Sequence, residues 1–213
     1  MLKTFPGPSW TSSHVYGEGA MNLQKKFCYF HIPKCASMWM REYLSDMGKQ
    51  HMDHGWLGCN FTSDNLDGFT PLVLLRDPVE RWISACPALG VVENIVTDPR
   101  AIVDVLERFD SWMTDEHTTP QFDFIDGLDL SRAVYFYCDH NLSKNVEHFF
   151  QAQGIDVIVP NPTNVKPIDP EYQSATVAWK KFFADPAVMP VFTKKFARDY
   201  ALIESVKFYR NGE

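Results

Sequence analysis

The chain has 213 residues, of which 45% are hydrophobic and 14% aromatic. This apolar content is enough to build a packed core, and it excludes an intrinsically disordered chain. The 20 Lys and Arg residues against 27 Asp and Glu give a net charge of −7, which argues against a general nucleic-acid binder because such proteins present clustered basic residues.

The location of the protein is predicted from what its sequence lacks. No stretch approaches the ~20 apolar residues that span a bilayer, and the first twenty residues have no continuous apolar run of the signal-peptide kind. The five cysteines are odd in number and include no C-x-x-C pair, as in proteins of reducing compartments. We therefore expect a cytoplasmic protein. From its length we expect one domain, over residues 1–213.

The elements alternate between short apolar runs and helical patterns. Residues 1–24, rich in Gly, Ser and Pro, predict an irregular N-terminal arm, and residues 49–70 are ambiguous. Strands are predicted at 27–32, 72–75 and 133–138, with a candidate fourth strand at 155–159. Helices are predicted at 38–47 with Gly48 as C-cap, 78–87, 98–112, 141–153 and 191–209.

This alternation predicts an α/β fold, a three-layer sandwich with a central parallel sheet flanked by helices. Ligands of such sheets bind at the carboxyl ends of the strands. Two strand ends carry an unusual concentration of polar and small residues, namely residues 31–39 and residues 76–84.

The first of these segments has the order strand, tight loop, helix, which presents backbone N–H groups and a helix dipole to an anion. Lys34 is placed to meet the same anion, and the small residues Ala36 and Ser37 let the backbone approach it closely. The alternative is an ordinary β–α turn with a surface lysine. The loop has no glycine and no Lys-Ser/Thr pair, so it is not a nucleoside-triphosphate loop, and this disfavours a kinase.

The second segment begins with Arg76 at the end of a buried strand, followed by Asp77 as a predicted N-cap and Pro78 at the first helical position. A guanidinium at a strand end can fork onto a phosphate, and Ser84 can add a hydroxyl donor from the helix. The alternative is that Arg76 pairs with Asp77 or Glu80, with Ser84 incidental.

Together, the segments HIPKCASMW and LLRDPVERWISA resemble the sulfotransferase family, whose members use 3′-phosphoadenosine 5′-phosphosulfate (PAPS) as the sulfonate donor. The matching positions are Ile32-Pro33-Lys34, Ala36-Ser37, Arg76-Asp77-Pro78, Glu80-Arg81 and Ser84. The pattern is most similar to carbohydrate-type, bacterial or viral members. His117 to Gln121 also resembles an H-x-x-P-Q element of some members.

The resemblance implies a P-loop-like sulfotransferase fold and a metal-independent reaction. It implies that Lys34 stabilises the bridging oxygen of the donor, and that the N–H groups of residues 35–38 and the Ser37 hydroxyl hold the 5′-phosphate. Arg76 and Ser84 would hold the 3′-phosphate. The cofactor-binding prediction is therefore Lys34, Cys35, Ala36, Ser37, Met38, Trp39, Arg76 and Ser84.

Three positions depart from the family pattern. Cys35 replaces a usual Thr or Ser, Met38 replaces a frequent hydroxyl residue, and Pro87 stands where an aromatic residue is often found. Trp39 matches a tryptophan that packs against adenine in some members, and packing into the core is its alternative role.

An acceptor hydroxyl needs a general base, for which the family uses His or Glu, and histidine suits neutral pH. We favour His54, then His51, then Glu42, with His117 as another candidate on the acceptor side; the alternative is that both loop histidines are surface residues. A zinc site of His51, His54 and Cys59 is a less favoured interpretation, because its spacing fits no standard pattern and a fourth ligand is not evident.

The acceptor is constrained only by charge. Residues 93–132 hold ten acidic residues and three Arg, which favours a neutral or cationic hydroxylated acceptor, such as a small molecule, a neutral glycan or a peptide. The leading hypothesis is a PAPS-dependent sulfotransferase acting on a hydroxyl or, less favoured, an amine. The alternatives are a non-catalytic nucleotide-binding module of the same fold and a small-molecule or nucleotide kinase.

Overall fold

The computed structural model describes most of the chain. The described residues are 15–22, 25–50, 56–62, 68–85, 103, 107, 119–155 and 170–211. In this part the strands are β1 (Val15–Asn22), β2 (Phe27–Phe30), β3 (Trp56–Thr62), β4 (Thr70–Leu75) and β5 (Val134–Tyr137). The helices are α1 (Ser37–Gln50), α2 (Pro78–Ala85), α3 (Leu142–Ala152), α4 (Pro170–Phe183), α5 (Val188–Lys195) and α6 (Ala197–Ser205), with a short 3₁₀ helix at Gln121–Phe124.

The chain divides into two compact units. The first, which we call the sheet unit, comprises Pro8–Arg76, Phe124–Asn164 and Val206–Glu213. The second, the helical unit, comprises Met1–Gly7, Asp77–Asp123 and Val165–Ser205. The assignment of residues 1–213 to one domain stays a prediction.

The sheet unit holds a five-stranded sheet in the order β3-β1-β2-β4-β5. Strand β2 is parallel to β4, and β4 is parallel to β5. Strand β1 runs antiparallel to both β2 and β3. The expected α/β class is confirmed. The sheet is parallel across β2, β4 and β5, as expected, but β1 and β3 add an antiparallel part that the prediction of a parallel sheet did not include.

The sheet unit is held together by aromatic residues between the strands and α3. Phe149 packs edge-on against Phe27 at 5.4 Å and against Phe136 at 5.6 Å between ring centroids. The chain following α6 returns to this core, where Tyr209 packs on Phe149 at 5.3 Å and its amide donates to the Tyr135 carbonyl at 2.8 Å. Burying such rings supplies most of the driving force for folding the unit.

The helical unit has its own aromatic core, formed by eight buried residues. They are Trp82, Ile83, Trp179, Phe182, Phe183, Val188, Phe192 and Phe196. The rings of Phe192 and Phe196 stack at 4.3 Å, and Trp82 meets both edge-on at 5.7 and 5.8 Å. This core brings α2 together with α4 and α5.

Several predicted bounds need correction. Val15–Asn22 is a strand and not part of an irregular arm, and α1 continues past Gly48 to Gln50. The helix expected over 191–209 is two helices that break at Phe196 and stop at Ser205.

Other predicted elements lie wholly or partly outside the described residues. Of the helix predicted at 98–112, Val103 and Glu107 are helical and the other positions are not described. The candidate strand at 155–159 lies outside the described residues from position 156 onward. Within the described ranges, no helix is both long and apolar enough to cross a membrane.

Candidate functional site

The carboxyl ends of three parallel strands meet at one edge of the sheet unit. We call this edge, which carries the residues that follow β2, β4 and β5, the loop edge. β2, β4 and β5 are adjacent and parallel, so the residues that follow them emerge side by side. Arg76 follows β4 and Cys138 follows β5, where the Cys138 amide donates to the Leu75 carbonyl at 2.8 Å. The first predicted segment follows β2 at the same edge, which is where open α/β sheets bind ligands.

The loop after β2 is a tight turn held in an unusual backbone conformation. The Cys35 amide donates to the Ile32 carbonyl at 3.2 Å and closes the turn. Lys34 and Ala36, on either side of Cys35, have φ angles of +66° and +54°. Left-handed conformations cost non-glycine residues about 1–3 kcal/mol each, and they concentrate at functional sites where the surroundings enforce them.

Helix α1 starts directly after this turn, at Ser37. The first four amides of a helix have no acceptor within it, and the Met40 amide is the first that reaches one, the Ala36 carbonyl at 3.0 Å. The amides of residues 36–39 therefore form the positive end of α1. The Cys35 amide, included in the predicted cradle of residues 35–38, is already used in the turn.

Arg76 connects the two predicted phosphate-binding segments. Its Nη1 atom donates to the Lys34 carbonyl at 3.3 Å, across a sequence separation of 42 residues. The guanidinium is partly buried, and the Lys34 side chain is half-buried. Of the two cationic residues predicted to meet the donor, one therefore belongs to the turn before α1 and the other is hydrogen-bonded to it.

The second predicted segment continues into the helical unit, where Asp77 caps α2. The Glu80 amide donates to Asp77 Oδ1 at 2.9 Å, which confirms the predicted N-cap. Ser84 lies in α2 and is half-buried. Its role in binding the 3′-phosphate stays a prediction.

Met38 and Trp39 differ in their surroundings. The Met38 side chain is 60% exposed in the first turn of α1. The Trp39 ring stacks on Tyr43 at 5.4 Å with 20° between the ring planes, and Tyr43 in turn contacts Phe150 at 5.8 Å. Trp39 is thus anchored to the core through one partner while remaining only half-buried, and this arrangement is compatible with both predicted roles.

The predicted bases lie mostly outside the described residues. This is so for His51, His54 and His117, while Glu42 is exposed on α1. Cys59, the third residue of the zinc interpretation, belongs to β3. No group of three or more His, Cys, Asp or Glu side chains suited to a metal occurs among the residues that the structure describes. The two histidines of the zinc interpretation lie outside those residues.

Sequence reasoning missed two residues of this edge, Cys138 and Tyr29. The neighbouring Cys35 thiol and burial raise the pKa of Cys138 well above its ordinary value. Burial also raises the pKa of Tyr29, and both thiols add to the effect. The position of Cys138 at the end of the third predicted strand was the signal that could have revealed it.

A cavity of about 240 Å³ lies elsewhere in the sheet unit. Residues from the start of β5 and the chain after α6 line it (Ala133, Val134, Tyr135, Lys207, Phe208, Tyr209 and Arg210). Because the start of a parallel strand is opposite its carboxyl end, this cavity is not at the loop edge.

Comparisons with models of known protein families, with curated proteins and with solved structures found no match.

Proposed function

We propose that the chain is a sulfotransferase that binds PAPS at the loop edge of the sheet unit and transfers its sulfonate group to an acceptor hydroxyl. The hydrogen bond from Arg76 to the Lys34 carbonyl is the observation that carries the proposal. It brings two segments that resemble the phosphosulfate and 3′-phosphate motifs of one family into contact.

The proposed reaction is an in-line displacement. The acceptor oxygen forms a bond to sulfur as the bond between sulfur and the bridging oxygen of the 5′-phosphate breaks. The acceptor proton passes to a general base, for which His54 and then His51 are the candidates. The products are a sulfate ester and adenosine 3′,5′-bisphosphate.

The chain's own residues favour this reaction by electrostatics and positioning. Negative charge accumulates on the leaving phosphate, where the Lys34 ammonium and the first-turn amides of α1 would stabilise it. The hydrogen bonds of the Cys35 amide and of Arg76 fix the turn. The groups that would bind the phosphate are therefore held in place before PAPS arrives. Such preorganisation is the main source of rate acceleration in group transfers of this kind.

Exposed Met38 favours one alternative, a non-catalytic module that binds the nucleotide without turning it over. A thioether cannot donate the hydrogen bond that a hydroxyl at this position would give to the phosphate. The two hypotheses share the binding site and differ in whether bound PAPS reacts. A kinase lacks support because the loop has no Walker-type sequence.

Binding is tested by thermal unfolding of the full chain with adenosine 3′,5′-bisphosphate and, separately, with ATP and Mg²⁺. A ligand of the native state at 100 times its Kd adds about 2.7 kcal/mol to the free energy of unfolding. We expect stabilisation by the bisphosphate and not by ATP. Stabilisation by ATP alone would favour the kinase, and no response to the bisphosphate would contradict the proposal.

Turnover is tested by following slow hydrolysis of PAPS, in which water replaces the acceptor. We expect hydrolysis by the wild type and its loss in Lys34→Ala, which removes the ammonium but keeps the carbonyl that Arg76 contacts. Lys207→Ala is the matched control, since Lys207 is exposed and follows α6 near the start of β5. Tight binding of PAPS without any hydrolysis by the wild type would select the non-catalytic module.

A further inference from the structure

Arg76 acts on the main chain of the turn after β2. It directly follows β4, and its Nη1 atom donates to the Lys34 carbonyl at 3.3 Å. The two residues are 42 positions apart, and the parallel pairing of β2 with β4 brings them together. Because the acceptor is a carbonyl, the contact restrains the backbone of the turn and leaves the Lys34 ammonium available for other contacts.

The turn contains two residues in an unfavourable backbone conformation. Lys34 and Ala36 have φ angles of +66° and +54°, and residues with a Cβ atom keep such angles only where surrounding contacts enforce them. One such contact is the hydrogen bond from the Cys35 amide to the Ile32 carbonyl at 3.2 Å, which lies within the segment. The hydrogen bond from Arg76 is the other, and it comes from a different strand.

The Arg76 guanidinium can hold a second acceptor at the same time as this carbonyl. A guanidinium carries several N–H donors in one rigid plane, and it binds phosphate oxygens with paired hydrogen bonds. Arg76 is half-buried, so part of the group is accessible to a ligand at the loop edge. One side chain can therefore contact a phosphate and the turn together.

We propose that Arg76 couples the two phosphate subsites of the donor, and that this coupling selects PAPS over adenosine 5′-phosphosulfate, which lacks the 3′-phosphate. The inference rests on the proposed function, in which Arg76 binds the 3′-phosphate and the turn binds the 5′-phosphosulfate. A 3′-phosphate on the guanidinium holds the side chain where it donates to the Lys34 carbonyl. The turn and the first amides of α1 are then fixed for the group that reacts. Arg76 is thus a positioning residue for the sulfonate.

The contact with the turn is tested without nucleotide, by amide hydrogen exchange of the full-length protein. Arg76→Lys keeps the positive charge, but its side chain ends one bond before the position of Nη1, so it does not reproduce the contact. The amides of Cys35 and Met40 are hydrogen-bonded in the turn and at the start of α1. We expect them to exchange at least about fivefold faster in Arg76→Lys. Unchanged exchange would overturn the proposal.

Arg132→Lys is the matched control for these measurements. Arg132 is exposed and precedes β5, so it lies at the end of the parallel strands opposite the loop edge. The same change of side chain there should leave the exchange of both amides and all nucleotide affinities at their wild-type values. Faster exchange of the two amides in this control would show that the effect is not specific to the contact of Arg76.

The effect on the 5′-phosphate is tested by titrating adenosine 5′-monophosphate, which has no 3′-phosphate for Arg76 to bind. We expect its affinity to fall at least about fivefold in both Arg76→Ala and Arg76→Lys. If Arg76 served the 3′-phosphate alone, Arg76→Lys would bind this ligand as tightly as the wild type, and that result would overturn the proposal. Circular dichroism of both variants verifies that they are folded.

The coupling itself is tested in the wild type with related ligands. A 3′-phosphate should raise affinity by a larger factor when added to adenosine 5′-monophosphate than when added to adenosine. Because coupling between two subsites is reciprocal, a 5′-phosphate should likewise raise affinity more when added to adenosine 3′-monophosphate. Equal factors would show that the two phosphates bind independently and would overturn the coupling.

Selection of the donor is tested by hydrolysis of PAPS and of adenosine 5′-phosphosulfate. In both, a water oxygen forms a bond to sulfur, the electron pair of the broken S–O bond stays on the 5′-phosphate, and the protons of water pass to the solvent. We expect kcat at least about fivefold lower for adenosine 5′-phosphosulfate, because the turn that stabilises the leaving phosphate is less well fixed. A difference confined to KM would overturn the selection, since the 3′-phosphate would then contribute to binding alone.

Failure of the coupling is distinguishable from failure of the proposed function. If the wild type binds no adenosine 3′,5′-bisphosphate, the proposed function fails and the coupling fails with it. If it binds the bisphosphate but Arg76→Lys leaves both the exchange rates and the affinity for adenosine 5′-monophosphate unchanged, the proposed function stands and the coupling is overturned.

Discussion

Arg76 and Arg81 belong to one sequence motif and are five positions apart, but they lie in different units and have different roles. Arg76 follows strand β4 of the sheet unit and donates a hydrogen bond to the carbonyl of Lys34 in the turn after β2. Arg81 is only 2% exposed in the helical unit, where it donates to the Thr119 carbonyl at 2.6 Å. The motif therefore combines a residue at the candidate site with a residue that stabilises the fold.

The same contrast extends to the units as a whole. In the helical unit, a buried carboxyl group is hydrogen-bonded within the unit: Asp199 is completely buried and accepts hydrogen bonds from the Gln121 and Phe122 amides at 2.9 and 2.8 Å. In the sheet unit, basic residues and helix amides collect at one edge. Substitutions in the helical core should therefore reduce stability, whereas substitutions at the loop edge should reduce nucleotide binding.

The largest expected loss of stability follows Trp179→Ala in the helical unit. Trp179 is 1% exposed and packs against Trp82 at 6.3 Å and Phe182 at 5.2 Å. Removing a buried tryptophan leaves a cavity, so we expect about 4 kcal/mol lower free energy of unfolding, measured by urea denaturation. The control Val177→Ala, at a side chain that is 66% exposed in the same helix, should change it by less than about 0.5 kcal/mol. Equal effects would contradict the assigned core.

The second largest loss of stability is expected for Asp199→Asn, measured as the free energy of unfolding. The variant keeps one acceptor oxygen and places an amide NH₂ against the other of the two main-chain donors at 121 and 122, so we expect about 2 kcal/mol of destabilisation at neutral pH. The exposed Glu204→Gln in the same helix is the control.

Asp199 also predicts a pH dependence. Burial raises the pKa of its carboxyl above the ordinary value, despite opposing hydrogen bonds and Arg81. Between the ordinary and the raised pKa, the folded state binds more protons than the unfolded state, so wild-type stability falls as pH rises. The difference in free energy of unfolding between the wild type and Asp199→Asn should therefore narrow as the pH rises through this window. Urea titrations at a series of pH values measure it. A difference that widens with pH would contradict the direction of the shift.

Smaller effects should follow single hydrogen-bond deletions in the sheet unit. Tyr209→Phe keeps the ring packing but removes the 2.8 Å hydrogen bond between the Tyr209 hydroxyl and His148 Nδ1. We expect a loss of about 1 kcal/mol, measured by chemical denaturation. In a double-mutant cycle with His148→Phe, no coupling between the two positions would show that the bond contributes nothing.

A loss of stability of similar size is expected when the cap of α2 is removed, and the smallest when it is only weakened. Asp77→Ala removes the acceptor of the Glu80 amide, and we expect a loss of about 1 kcal/mol. Asp77→Asn keeps an acceptor oxygen and should lose only a few tenths. If the two variants were equally destabilised, the cap would not act through this hydrogen bond.

Sequence patterns predicted the elements that carry a local start signal or whose residues form a fully buried apolar run. The apolar runs of β2, β4 and β5 identified them as strands, and Asp77 followed by Pro78 marked the start of α2. Strand β1 was missed because Gly17, Glu18 and Gly19 resemble a loop in composition. It is a strand because β2 and β3 pair with it on either side, and such pairing overrides local preference.

The interruption between α5 and α6 was missed for a related reason. The apolar spacing runs through Phe196 without interruption, yet Phe196 leaves the helical conformation with φ −101° and ψ 23°. Its ring packs on Phe192 and Trp82, contacts that periodicity cannot reveal. At the candidate site, the motifs identified Lys34 and Arg76, whereas the position of Cys138 at the same edge depends on the order of the strands and was not predictable from spacing.

The central claim is that the loop edge of the sheet unit binds the nucleotide of PAPS. It is tested most directly by calorimetric titration of adenosine 3′,5′-bisphosphate into the reduced wild type, Lys34→Ala and Lys207→Ala. We predict saturable binding of one nucleotide to the wild type, at least about tenfold weaker binding to Lys34→Ala, since a lost charge-assisted contact is worth about 1.5–3 kcal/mol, and unchanged binding to Lys207→Ala. Absence of binding to folded wild type, or equal affinity of wild type and Lys34→Ala, would contradict the claim.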